Sequence, residues 1–324
     1  MIRIAIIGLG HIGRIHIAAL NSIEGLELTA ASDLDNSLAK ILPKNTLFCI
    51  DYQDLLEKGG FDTVVVATPN DTHNAIAHNV VASGYNVIVE KPAAYNMTDL
   101  ESLEDLAKQN KQKVYYALHA ASAFEVSWLT EHIIENYKRY GPLTAFHSRF
   151  FDPYIDETGE IVSHAKSLGD CWLDSGVNAL SVIDRVFPVD TLQLESRRQS
   201  ACTVKKPLLK SVTINYSFPV NKSDFSGLGV IDTAWDQSCN LKCTTFYFGK
   251  SGWRITANHS EQTIIAKNPY GEMLELISFT GDRLLNHYLG VFVDYRDRIQ
   301  EGSSMNTSKA RRIHKQFFLS MGIQ

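Results

Sequence analysis

IRIAIIGLGHIGRIHIAAL, residues 2–20, is the stretch that decides the fold. Ile2 to Ile7 is a short β-rich run and predicts a strand, and the pattern through Leu20 predicts a helix. Between them Gly8-Leu9-Gly10-His11-Ile12-Gly13 spells G-x-G-x-x-G in its meaningful context, a strand before and a helix after. Gly8 permits the tight turn, and Gly10 lets the backbone approach a pyrophosphate. Gly13 lets the helix sit close to the strand, and the helix start offers N–H groups to the anion. Gly8, Gly10, His11, Ile12 and Gly13 are therefore candidate dinucleotide contacts. A glycine-rich turn that binds nothing is the weaker alternative, because alternating strands and helices follow.

A second strand, Leu26 to Ser32, ends at Asp33, a carboxylate able to accept both ribose hydroxyls of an adenosine. It would repel a 2′-phosphate, and no Arg or Lys follows until Lys40, so NAD is expected over NADP. Further on, Thr63 to Ala67 reads as a buried strand, Asp71 to Ser83 as a helix closed by Gly84, and Val87 to Glu90 as another strand. A helix follows, then a last parallel strand, Val114 to Leu118, with His119 at its carboxyl end. This alternation implies a doubly wound parallel sheet with ligands at the carboxyl ends of its strands. Thr68, Pro69, Asn70 and Lys91 all occupy such ends.

After a helix to about Lys138 and the Gly141-Pro142 break, the alternation stops. Strands are expected at Leu143–Phe151, Thr191–Val204, Ser211–Phe218, Val230–Asp236, Thr244–Phe248, Trp253–Asn258 and Gln262–Lys267. Helices are expected at Arg283–Gln300 and Thr307–Met321. The expected fold class is α/β plus α+β. A Rossmann-type domain over residues 1–120 precedes an open, mostly antiparallel substrate-binding and oligomerisation domain over 121–324, with the C-terminal helices able to pack back on the first domain.

The 324 residues suffice for two domains, and 44% hydrophobic with 21% charged residues is a globular composition. A net charge of −5 argues against nucleic acid, and no apolar run approaches a membrane span. The apolar N-terminus opens into the glycine motif and shows no cleavage site, so it reads as strand and helix, not signal peptide. Five scattered cysteines without paired metal spacing point to a reducing cytoplasm, and histidines five apart (11/16, 73/78) make a metal site unexpected. The basic run Lys309–Lys315 reads as a solvated helix face.

The glycine motif, ATPNDTH (Ala67 to His73) and EKP (Glu90 to Pro92), in this order, resemble the glucose–fructose oxidoreductase / inositol dehydrogenase / rhizopine catabolism (Gfo/Idh/MocA) superfamily. The resemblance implies that Lys91 reaches the active site for proton transfer or substrate orientation. It also implies cofactor contacts from Thr68, Asn70, His73 and Glu90, and an uncovered sheet face serving as the interface of a homodimer or homotetramer.

Residues 172–187, WLDSGVNALSVIDRVF, read as a buried helix from Val177 onward with Asp174 or Ser175 as its cap. The superfamily commonly reads D-x-G-x-H-x-x-D here. Asn178 stands at the histidine position and Ser181 at the final aspartate. Asp174, Gly176, Asn178, Ala179, Leu180, Ser181 and Arg185 instead resemble the bacterial galactose/arabinose 1-dehydrogenase branch. That resemblance implies oxidation of an aldose at C1 to its lactone. Burial and the nearby positive nicotinamide would lower the pKa of Lys91 and make it the base or the anomeric oxygen's partner. Asp174 would orient a hydroxyl or tune Lys91, and Asn178 can donate and accept but take no proton. His119 could contact the sugar, and Asp152 and His164 are further substrate candidates. Two other readings stay open: an inositol- or polyol-type dehydrogenase acting at another ring carbon, and a catalytically silent sugar or nucleotide sensor.

Overall fold

The computed structural model describes residues 1–201, 208–220, 225–249 and 252–322. The chain forms two compact units, Met1–His119 with Leu284–Arg311, and Ala120–Arg283 with Arg312–Gln324.

The first unit alternates strands and helices: β1 (Ile2–Ile7), α1 (His11–Leu20), β2 (Leu26–Ser32), β3 (Leu47–Cys49), α2 (Tyr52–Lys58), β4 (Thr63–Val66), α3 (His73–Ala82), β5 (Asn86–Glu90), α4 (Met97–Gln109) and β6 (Val114–Ala117). Its sheet runs β3-β2-β1-β4-β5-β6 with every pair parallel. All residues of β4 and β6 are buried, as strands covered on both faces must be. Strand order reverses between β1 and β4, which opens the crevice where ligands bind such sheets. The pair β3 and α2 has no counterpart in the sequence reading, because three and seven residues are too few to display a period.

The second unit begins with α5 (Phe124–Glu135) and the single turn α6 (Tyr137–Tyr140), then β7 (Leu143–Pro153) and α7 (Cys171–Asp184). Seven strands follow: β8 (Gln193–Ala201), β9 (Leu209–Pro219), β10 (Ser226–Ala234), β11 (Asp236–Phe248), β12 (Trp253–Asn258), β13 (Thr263–Lys267) and β14 (Met273–Ser278). They form one eight-stranded sheet, β14-β13-β12-β11-β7-β10-β9-β8, in which β7 and β10 are parallel and the other pairs antiparallel. The part of the expected strand Thr191–Val204 beyond Ala201 lies outside the described residues. β14 escaped the sequence reading because none of its residues is buried, so no alternation marks it. β11 starts eight residues before the expected Thr244, since Asp236 to Asn240 are exposed and polar.

The helix α7 requires a correction. It starts at Cys171, not Val177, and its cap is Asp170, whose Oδ1 accepts the N–H groups of Trp172 and Leu173 at 2.9 Å each. Asp174 and Ser175 are therefore inside the helix, and capping accounts for neither.

The chain ends in α8 (Arg283–Glu301) and α9 (Thr307–Met321). Tyr288, Val291, Phe292 and Tyr295, spaced along one stripe of α8, complete the core that Ile4, Ile6, Leu28, Val65 and Ile88 begin in the first sheet. Among the described residues no helix is long and apolar enough to cross a membrane.

β6 is an edge strand, and Asn306 covers it: its Oδ1 accepts Tyr116 N–H at 3.0 Å and its Nδ2 donates to Tyr116 O at 2.8 Å. One amide side chain thus stands in for a neighbouring strand. Asn306→Ala is expected to cost about 2–3 kcal/mol, because two buried backbone groups lose their partner. Urea unfolding of the two proteins measures the difference.

Candidate functional site

The glycine turn shows why its residues have no side chains. Gly8 sits at φ +96°, where a methyl group would lie 2.6 Å from the Ala67 carbonyl oxygen, and a methyl on Gly13 would lie 2.1 Å from the Gly8 carbonyl oxygen. A methyl on Gly10 would instead enter space empty to 4 Å, at the N-terminus of α1, where no side chain caps the helix. A dinucleotide pyrophosphate fits these features: the backbone at Gly10 is open to approach and the first-turn N–H groups have no side-chain cap. His11 is exposed beside it and Ile12 half-buried. Asp33 closes the turn from β2, with Oδ2 accepting Leu9 N–H at 2.7 Å and Oδ1 accepting Asp35 N–H at 2.9 Å. Each oxygen keeps a second lone pair, so the oriented carboxylate can still receive ribose hydroxyls.

At the end of β4, Thr72 Oγ1 donates to Thr68 Oγ1 at 2.7 Å, Pro69 is exposed and Asn70 buried. The buried ring of His73 faces two backbone carbonyls, Thr68 at 2.7 Å and Pro92 at 2.9 Å. His73 thus ties the turn after β4 to the segment after β5, and its ring nitrogens are committed to that task. Lys91, half-buried, follows β5, and its N–H donates to Glu90 Oε2 at 3.2 Å.

Glu90 is buried, and its Oε1 lies 2.9 Å from His16 Nε2 on α1. Burial alone would push this carboxyl up. The hydrogen bond and charge of His16, with Tyr288 and Lys91 nearby, outweigh it and hold Glu90 below the ordinary carboxylate range. Burial, and then the same carboxylate, push the Tyr288 phenol well above its usual value. Tyr288 stacks on His119, whose Nδ1 is 3.2 Å from His287 Nδ1. His16, His287 and Tyr288 were absent from the expected site. His16 was nevertheless legible, since it shares the buried stripe of Gly13, Ile17 and Leu20 on α1.

In the second unit, Asp174 and Asn178 lie one turn apart on α7 and both are buried. Asn178 Nδ2 donates to Asp174 O across a long 3.4 Å, and its buried Oδ1 accepts no hydrogen bond among the described residues. Asp152, near the end of β7, is buried against Lys242 of β11, with Nζ to Oδ1 at 2.6 Å. Asn240 joins both, accepting from Lys242 Nζ at 2.9 Å and donating to Asp152 Oδ1 at 3.2 Å. Burial raises Asp152, Lys242 opposes that, and Asp174 adds to it. Burial likewise lowers Lys242 against the pull of Asp152, with Arg283 lowering it further. Burial, Asp152 and Asp174 push the Tyr154 phenol up, so it remains a proton donor. Lys242, Asn240, Tyr154 and Arg283 were missed by the sequence reading. Lys242 carried a signal, because it is in phase with the inward-facing Thr244, Phe246 and Phe248 on β11. The side chain of His164 lies outside the described residues. Among the described residues no three His, Cys, Asp or Glu side chains gather as metal ligands.

Because the Glu90 carboxyl is held below its unfolded value, its pairing stabilises the fold at neutral pH. That contribution is lost as pH falls through the folded-state value. Between about pH 5 and pH 3 the wild-type protein should lose urea stability more steeply than Glu90→Gln, which has no carboxyl there to protonate.

Residues 2–118 match the model of an oxidoreductase family with the NAD-binding Rossmann fold, Gfo/Idh/MocA. Inositol 2-dehydrogenase 1 of Saccharopolyspora erythraea is 33% identical over 103 residues, 30% of this chain and 31% of that protein. A glycosyl hydrolase family 109 protein of Shewanella putrefaciens is 29% identical over 124 residues, 35% of this chain and 27% of that protein. The chain thus matches about a third of the length of these relatives. Solved structures resemble it along 99% of its length: GenD2 from gentamicin A biosynthesis in complex with NAD, at a TM-score of 0.80, 17% identity and 94% of that chain. KijD10, a 3-ketoreductase from Actinomadura kijaniata in complex with NADP and TDP-benzene, has a TM-score of 0.81 at 16% identity over 96% of its chain. At such identities the likeness is one of fold. Over residues 2–118 the chain is thus similar to the Gfo/Idh/MocA family of NAD-binding oxidoreductases.

Proposed function

We propose that the protein is a nicotinamide-dinucleotide-dependent oxidoreductase that interconverts a CH–OH group and a carbonyl at a ring carbon of a cyclic polyol or sugar. The observation that carries this is the dinucleotide cradle built from Gly8, Gly10 and Gly13, in a unit similar to the NAD-binding family. The inositol 2-dehydrogenase among its relatives supports a ring carbon as the reacting centre. Asp33, oriented by two backbone amides, supports NAD over NADP. Gly8, Gly10, Gly13 and Asp33 would hold the dinucleotide, which would supply a nicotinamide able to accept a hydride. Lys91 then accepts the proton of the reacting hydroxyl at Nζ and returns it in the reverse direction. In the second unit, Asp174 offers a carboxylate acceptor to substrate hydroxyls, and Asn178 offers its amide N–H and its buried Oδ1.

A second reading, oxidation of an aldose at C1 to the lactone, is favoured by the run Asp174, Gly176, Asn178, Ala179, Leu180, Ser181 and Arg185. NADH absorbance with NAD⁺ and a panel of inositols, polyols and aldoses separates the two. Turnover on inositols or polyols is expected, with kcat falling at least about 100-fold in Lys91→Met while NAD still binds. Turnover on aldoses alone would move the chemistry to C1, and NAD binding without any turnover would make the protein a regulator. Asp33→Ser is expected to weaken kcat/KM with NAD by about 10- to 100-fold, through loss of a charge-assisted hydrogen bond to ribose.

A further inference from the structure

We propose that Lys242 is a positioning residue that holds Asp152 beside Asp174 as a pair of carboxylate acceptors for the hydroxyls of an uncharged polyhydroxy substrate. This rests on the oxidoreductase reading above and deepens it by naming the substrate's charge class and a residue on which its binding depends.

Lysine is costly at this place. Its side chain is 10% exposed, on the inward phase of a strand whose neighbouring positions are Thr244, Phe246 and Phe248. An isolated ion pair in a core adds little to stability, and apolar residues of the same volume replace such pairs without loss. Here, though, Lys242 has more than one carboxylate to balance. The helix α7 that carries Asp174 packs against β7, which carries Asp152; both carboxylates are buried, and Asp174 adds to the upward push on Asp152. Among the described residues the groups acting with them include the cations Lys242 from β11 and Arg283 at the start of α8, the Tyr154 phenol, and the buried Cys171 thiol beside Asp174.

The geometry of the pair is also one-sided. Lys242 Nζ and Asn240 Nδ2 both converge on Asp152 Oδ1, and neither bond uses Oδ2. A carboxylate fixed through one oxygen presents the other as an oriented acceptor. Hydroxyl groups supply the donors that such acceptors need, and two carboxylates beside a neutral substrate incur no repulsion. A uronate or phosphorylated sugar would meet two negative charges instead.

The experiment compares wild-type protein, Lys242→Met and Lys242→Arg, all saturated with NAD⁺. It measures kcat and KM on the panel, and the rise in Tm produced by myo-inositol, D-galactose and D-galacturonate. The expected result for Lys242→Met is a KM raised about 10- to 100-fold with a much smaller change in kcat. Its polyol-dependent Tm rise should be lost, and Lys242→Arg should restore most of both. The uronate should raise Tm less than the neutral ligands. An unchanged KM in an active Lys242→Met, a fall confined to kcat, or a uronate preference would overturn the proposal while leaving the oxidoreductase reading in place. A wild-type protein that turns over nothing, yet shows a Tm rise that Lys242→Met abolishes, would sink that reading and keep the proposal. Absence of any ligand-dependent rise in the wild type would overturn the proposal. If Lys242→Met fails to fold, Asp152→Asn carries the same test, since it keeps the shape and the acceptor for Lys242 while removing the charge.

Discussion

The backbone of Gly13 lies against the carbonyl of Gly8 so closely that a single methyl group would come within 2.1 Å of its oxygen. Much of the first unit follows from that approach. It brings the start of α1 onto the end of β1, and Gly8 in turn meets the Ala67 carbonyl at the end of β4. The helix N-terminus is thereby fixed at the point where strand order reverses, with Gly10 open to a ligand. The same docking sets the face that α1 turns to the sheet. His16, one turn beyond Gly13, then reaches Glu90 at the end of β5. A larger residue at position 13 would separate helix from strand and disturb the cradle and the His16–Glu90 pair together.

In the second unit the governing constraint is electrostatic. Asp152, Asp174 and Lys242 are all buried, and burial opposes the charge on each. The arrangement survives because the charges answer one another at short range, with Lys242 2.6 Å from Asp152 and Asn240 satisfying both. Elsewhere in this unit, where polar groups serve packing, the solution is simpler. Asp170 is consumed by two backbone N–H groups at the head of α7. Asp184, nearer the tail of the same helix, is held by the guanidinium of Arg312, with Nε and Nη2 each on a separate oxygen.

The parallel half of the fold was legible because its strands are short apolar runs and its turns carry glycine. Boundaries there shift by a residue or two, and the elements lost, β3 and α2, are too short to repeat a pattern. In the antiparallel half, legibility follows burial: Trp253–Asn258 alternates and was read to the residue, whereas exposed β14 left no trace. The site divides along the same line. Glycines, Asp33 and Lys91 announce themselves through local sequence context. Lys242 and Tyr288 join the candidate residues only through contacts made far along the chain, and one sequence holds no record of those pairings. The start of α7 misled for a different reason. Polar Asp174 and Ser175 resemble a cap, and nothing local says that Asp170 has already taken that role.

Asn178 shows what the substitution at the motif histidine position accomplishes. An asparagine there cannot take a proton, so the proposed reaction needs its base elsewhere and assigns it to Lys91. A buried amide oxygen without a partner costs about 1–3 kcal/mol, and the 3.4 Å bond from Nδ2 recovers little of that. Packing gives no reason to retain such a group two turns inside a buried helix, between Val177 and Ala179, where leucine or alanine would be cheaper. Under the proposed function a substrate hydroxyl donating to Oδ1 would offset that cost, so a substrate lacking the hydroxyl would be disfavoured against one that carries it.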